Sequence, residues 1–264
     1  MPELPDVDGF RGVLARCAQG RRIEAVDVHD SGVLHDVTAA RLRRTLEGRR
    51  FAEPVRHGKW LLAPVDGTGC TLLLHFGMTG RLLCCSDSDP LGAHDRVVFA
   101  LTGGRRLHYR DQRKLKGLWL YDEAGVDRLL AEQGPDAAEL SLDAFREALA
   151  GRRGGLKSAL TDQSVLAGLG NLLADEILWR ARLHPGRRTD RLDDAELRRL
   201  HGALRDTLRE SVRAECVPPY PSWLTGQRDR PPSEAACPRC GGPLRRKRVA
   251  GRGTVWCPAC QPAE

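Results

Sequence analysis

The chain has 264 residues, room for one large domain or a few small ones, and its 41% hydrophobic and 29% charged content is that of a globular protein. No apolar run approaches the ~20 residues of a membrane span, and no basic segment followed by an apolar stretch opens the sequence, so neither a membrane partner nor a secretory signal is expected. A formal net charge of +7 and a pI near 9.1 favour a polyanionic partner such as nucleic acid.

In chain order, Pro5 suits the first turn of a helix, and Val7, Phe10, Leu14 and Cys17 recur on one face, which predicts a helix over 5–17. From about 22 to 122 the pattern turns to short strands: Ile23–Val28, Trp60–Pro64, Thr71–Phe76, Arg96–Leu101, Arg106–Arg110 and Leu118–Tyr121. Glycine turns such as Asp66-Gly67-Thr68-Gly69 separate them, the spacing of an antiparallel sandwich or barrel. Past Gly134-Pro135 the character is helical: Ser141–Ala150, Gly155–Ser164, then Asn171–Arg182 after the turn Gly168-Leu169-Gly170. Asp193 followed three residues later by Glu196 predicts a capped helix running to about Ala214. The proline-rich stretch 218–232 reads as a linker or surface loop. The expected class is α+β, with a β-sandwich domain over 1–130, a helical domain over 131–218, and a linker with a cysteine-bearing ribbon over 219–264.

Nine cysteines make an odd count. Cys237, Cys240, Cys257 and Cys260 form C-x2-C-x16-C-x2-C, in which two tight turns aim four thiolates at one tetrahedral centre, the donor set of one structural zinc ion. Four filled positions leave none open for chemistry. The other five, Cys17, Cys70, Cys84, Cys85 and Cys216, are scattered, as in a reducing, cytoplasmic setting rather than a secreted disulfide framework. Between the zinc pairs, Arg252 sits in Gly251-Arg252-Gly253, where small neighbours let backbone and guanidinium approach a phosphate.

Met1-Pro2 suits removal of the initiator methionine, which would expose a secondary amine. An α-amino group titrates near 7.7–8.0, so it is partly unprotonated at neutral pH and can condense with an aldehyde carbon. Glu3 stands beside it to move protons.

Met1-Pro2-Glu3-Leu4-Pro5 together with the cysteine ribbon resembles the formamidopyrimidine-DNA glycosylase/endonuclease VIII family, and the likeness runs the whole chain in order. His57-Gly58-Lys59-Trp60-Leu61 resembles the family segment whose lysine, here Lys59, lies near the lesion. His75-Phe76-Gly77-Met78-Thr79-Gly80 resembles the turn in which Met78 would fill the gap left by a flipped nucleotide. Asp111-Gln112-Arg113-Lys114-Leu115 aligns with D-P-R-R-F: Arg113 would read the base opposite the lesion, and Leu115 stands where an intercalating phenylalanine is usual. Gly168–Glu176 is similar to the helix–two-turn–helix signature. There a glycine turn before a helix offers N–H groups and a positive dipole end to a phosphate, and Asn171 adds a donor. Arg252 falls on the family's ribbon arginine. Over 217–228 the sequence departs from the glycine-rich lesion-capping loop of these glycosylases.

The resemblance implies a bifunctional glycosylase/AP lyase of base excision repair acting on damaged double-stranded DNA as a monomer, cytoplasmic and associated with the nucleoid. Oxidised purines such as 8-oxoguanine and formamidopyrimidines are the leading substrates. Oxidised pyrimidines, an unusual lesion, or a non-catalytic damage-binding role on the same scaffold are the alternatives.

Overall fold

The computed structural model describes residues 1–249 and 251–263 and separates into two compact units. The first comprises Met1–Pro2 and Asp6–Glu132, the second Glu3–Pro5 and Gln133–Glu264.

Helix α1 (Leu4–Ala18) begins where Pro5 fits the first turn, and Val7, Leu14 and Cys17 bury its apolar face. There follow β1 (Ile23–Val28), α2 (Ala39–Leu46), β2 (Val55–His57), β3 (Trp60–Val65), β4 (Cys70–His75), β5 (Arg81–Ser86), β6 (Asp95–Leu101), β7 (Arg105–Arg110), β8 (Leu118–Asp122) and α3 (Glu123–Ala131). The strands form two antiparallel four-stranded sheets, ordered β1-β6-β7-β5 and β2-β3-β4-β8. Alternation decides the faces: Val97, Phe99 and Leu101 of β6 meet Leu61, Ala63 and Val65 of β3 in one core. On the opposite face of β3 and β4, Trp60, Leu62 and Leu73 are buried too, because Val126, Leu129 and Leu130 of α3 pack on them. That double burial explains the unbroken apolar run Trp60-Leu61-Leu62-Ala63.

The α+β expectation holds, with sequence-predicted strands recovered to within a residue or so. Two strands and two helices were not anticipated: β2, β5, α2 and α3. A further correction concerns two of the scattered cysteines, since Cys17 of α1 and Cys84 of β5 are joined as a disulfide within this unit.

In the second unit lie α4 (Leu142–Leu149), α5 (Leu156–Thr161), α6 (Asn171–Arg180) and α7 (Asp194–Arg213), with a hairpin of β9 (Arg245–Val249) and β10 (Arg252–Trp256). Helix α7 starts with the anticipated reciprocal cap between Asp193 and Glu196. Helix α6 is buried almost all round from Leu173 to Trp179, charged Asp175 and Glu176 included. Among the described residues, no helix is long and apolar enough to cross a membrane.

Residues 223–228 are not a loose linker. Trp223 and Leu224 are buried, the Arg180 guanidinium lies 4.2 Å over the Trp223 ring, and Thr225 N–H donates to Glu176 at 3.2 Å. Proline denies a segment regular ladders but not side-chain packing.

Candidate active site

At the start of the first unit lies a cavity of about 350 Å³. Pro2, Asp6 and Phe10 line one part of it, and Met78, Thr79 and Arg81 another. Pro2 is half-buried, whereas Met1 before it is 51% exposed and so open to an aminopeptidase. Met78 is 40% exposed and Leu115 50%, an unfavourable placement for apolar side chains unless a partner covers them.

These side chains rest on a braced platform. His75 Nδ1 accepts from Gly77 N–H at 3.1 Å, and its ring packs edge-on against Trp60. Burial, and after it the charges of Lys116 and Lys59, pull the imidazole down to about 3, so it stays neutral and able to accept. Lys59 itself sits half-buried in the turn between β2 and β3. Arg113 donates to the Met78 sulfur at 2.9 Å, which brings together the residue expected to read the opposite base and the one expected to fill the gap. Lys114 adopts φ +52 and is tied to Asp30 at 2.9 Å, holding the loop where Gln112 replaces proline.

Within the second unit, the Glu3 carboxylate is fully buried at the start of α6. Oε2 accepts from Gly170 N–H (2.8 Å) and Leu173 N–H (3.1 Å), and Oε1 from Leu172 N–H (2.8 Å). All three contacts require an acceptor, which matches an acid at a helix N-terminus. They also explain the glycines. A Cβ at Gly170 would lie 2.3 Å from the Glu3 carboxyl carbon, and one at Gly168, where φ is +111, would lie 2.5 Å from Leu4.

Asn171 donates through Nδ2 to Gly253 O at 2.9 Å, which sets it beside the exposed Arg252. One Nδ2 hydrogen is thereby used and one remains. Beneath this pair runs a buried network that sequence reasoning missed. Lys157 reaches Asp175 at 2.5 Å and Thr254 at 2.7 Å, while Asp175 also accepts from Arg228 (2.6 Å) and Val255 N–H (3.1 Å). Burial draws Lys157 below its usual range and lifts Asp175 above its own, with their mutual attraction opposing both shifts. The available signal was a lysine within the apolar run Leu156-Lys157-Ser158-Ala159-Leu160.

The sulfurs of Cys237, Cys240, Cys257 and Cys260 lie within 4.8 Å of one another, and Gly241 N–H returns to Cys237 O at 2.8 Å to close a knuckle. Four converging thiols, with no further His, Asp or Glu in the cluster among the described residues, fit one structural zinc ion. Trp179 Nε1–H donates to the Cys237 sulfur at 3.4 Å, an outer contact that fixes the ligand.

Models of three domains match: the formamidopyrimidine-DNA glycosylase N-terminal domain over residues 1–118, the H2TH domain of the same enzymes over 132–217, and the zinc finger found in FPG and IleRS over 236–263. A formamidopyrimidine-DNA glycosylase of Heliobacterium modesticaldum is 38% identical over 99% of this chain and all of its own. The chain belongs to the formamidopyrimidine-DNA glycosylase family. The Salinispora arenicola relative of the same name is 37% identical, over 99% of this chain and 96% of its own. Among solved structures, Lactococcus lactis formamidopyrimidine DNA glycosylase bound non-covalently to DNA containing an AP site superposes with a TM-score of 0.87 at 26% identity, covering 99% of this chain and all of that one. A structure of MutM with DNA containing carbocyclic 8-oxo-G gives 0.85 at 27% identity, again over 99% and 100%. The zinc ion and the DNA partner are thereby those of the family.

Proposed function

We propose that this chain excises oxidised purines from duplex DNA in base excision repair and then cleaves the strand as an AP lyase. The observation that carries the reading is the shared cavity of Pro2 and Met78, a nucleophile beside a wedge. Once Met1 is removed, the Pro2 nitrogen attacks C1′ as the bond from C1′ to the base breaks, and the departing base takes up a proton. Opening of the sugar ring delivers a proton to its oxygen and leaves an iminium. The iminium draws electrons from C2′, a C2′ proton leaves, and the 3′ phosphate departs by β-elimination. A second elimination releases the 5′ phosphate. Glu3, next in the chain, moves protons beside the amine. Lys59, Asn171 and Arg252 hold the bent backbone, while Arg113, Met78 and Leu115 stabilise the extrahelical nucleotide. The four cysteines hold zinc, which supplies structure to the ribbon. The same reading takes the protein as a cytoplasmic monomer without a membrane partner.

Borohydride trapping on abasic-site DNA tests it. Pro2→Gly should abolish most of the trapped product while DNA affinity holds within a small factor; equal trapping by the variant removes Pro2 from the mechanism. A second reading follows from Met1, for as long as it remains the Pro2 nitrogen is an amide and cannot attack. Intact mass retaining Met1 favours a damage-binding role on the same scaffold.

A further inference from the structure

Asp111 directly follows β7 and, although a carboxylate, is fully buried. Its backbone is held on both sides: N–H donates to His94 O at 3.0 Å and its carbonyl accepts from Arg96 Nε at 2.8 Å. Its side chain faces the loops. Oδ1 accepts from Thr79 Oγ1 at 2.5 Å and from Arg113 N–H at 3.1 Å, and Thr79 Oγ1 accepts from the same Arg113 N–H at 3.0 Å. Three groups from positions 79, 111 and 113 therefore close one small ring of hydrogen bonds. Below it, Tyr109 OH donates to His75 O at 3.2 Å, a second strut from β7 to the start of the same turn. Above it, the Arg113 guanidinium meets the Met78 sulfur.

A buried carboxylate is costly unless its acceptors are used. The hydrogen bonds to Oδ1 come from the two segments that carry Met78 and Arg113, while Oδ2 is buried with no hydrogen-bond partner among the described residues and the Tyr109 hydroxyl of β7 interacts with the same carboxylate. A carboxylate serving the sandwich alone would draw no donor from either loop.

We propose that Asp111 is a positioning residue that locks the Met78 turn to the Arg113–Leu115 loop, so that the wedge side chains act on the duplex as one rigid body. This rests on the reading of Met78 and Arg113 as duplex-invading residues given above. Separate loops would each be ordered at the moment of insertion, whereas coupled loops are ordered in advance.

The test is the ratio of two rates. One is excision of 8-oxoguanine paired with cytosine in a duplex, which requires the wedge. The other is borohydride trapping on a single-stranded abasic oligonucleotide, which does not. Thr79→Val keeps volume and removes the hydroxyl; Asp111→Asn keeps shape and weakens the acceptor. Each should lower the duplex-to-single-strand ratio by about tenfold, the scale of one charge-assisted hydrogen bond. Thr79→Ser should restore it, and the double variant should be no worse than the poorer single one. A ratio that stays constant, whether both rates hold or both fall together, overturns the proposal. Met78→Ala and Arg113→Ala separate the two layers. If they lower the ratio and the Asp111 and Thr79 variants do not, the coupling alone fails; if they too leave it constant, the wedge reading falls and takes the coupling with it.

Discussion

The two units solve the problem of presenting reactive side chains in different ways. In the sandwich, period-two alternation makes an apolar core, and Met78, Arg113 and Leu115, proposed above to enter the duplex, stand on turns outside it. Charged side chains are buried in both units, Asp95 and Asp111 in the sandwich, but in the helical unit they form a larger linked set around α6. Lys157, Asp175 and Glu176 are fully or almost fully buried and partnered, and the ribbon beside them closes on four thiols rather than on a large core. The difference teaches where each unit is brittle: the sandwich through its core, the helical unit through its metal and its ion pairs.

The sharpest way to break this comparison is to remove the zinc. Chelation, or Cys240→Ser, should expose the amides of 237–260 to rapid hydrogen exchange, because structural zinc supplies about 10–16 kcal/mol in small ribbons. Protection across the strands of the sandwich should persist; if it collapses equally, the two units do not differ in the way described. Next in size, Lys157→Met leaves Asp175 with fewer partners in the interior and should cost about 3 kcal/mol of stability in the second unit, read by urea unfolding monitored at Trp179. A cost near zero would show that Arg228 and Val255 N–H satisfy the carboxylate by themselves.

A smaller effect belongs to the sandwich. His75 titrates at about 3 in the folded chain against an ordinary 6.5. Between these values the unfolded chain holds a proton that the folded one lacks, so the contribution of His75 is complete above about 6.5 and declines as pH falls toward about 3. Comparing unfolding of the protein with His75→Gln across that window should show the stability difference changing with pH. Parallel curves would remove the imidazole from this role. Smallest is Arg252→Ala, which should lower the slope of log affinity against log salt by about one unit, measured by fluorescence anisotropy at several salt concentrations; an unchanged slope means that no phosphate is lost.

Legibility in the sequence followed the range of the interactions involved. Strands β3, β4, β6 and β7 were readable because each is a short apolar-rich run bounded by glycine or charged turns, a local signal. Strand β5, Arg-Leu-Leu-Cys-Cys-Ser at a sheet edge, lacks that contrast, and β2 is only three residues long. Helix α2 lay within the stretch read as strands, and α3 follows directly on the last of them, with Gly125 in its first turn, where a Cβ would press on Tyr121. The cysteine pairs, the start at Pro2 and the glycine turn before α6 were visible because each is a short run with its own chemistry. The ring of Thr79, Asp111 and Arg113 was not, nor was the pairing of Lys157 with Asp175, since no local pattern reports a hydrogen bond between residues 32 apart or an ion pair across two helices.

Read alone, then, the amino-acid order determined the class, the zinc ligands and the family, all of which depend on residue types at short, countable spacings. Tertiary structure alone decided which carboxylates are buried and whom they serve: Glu3 on the N–H groups opening α6, Asp111 beneath the wedge loops, Asp175 between Lys157 and Arg228. The physical reason is desolvation. A carboxylate in water is indifferent to its neighbours, and only folding, by taking the water away, makes each of them choose its donors.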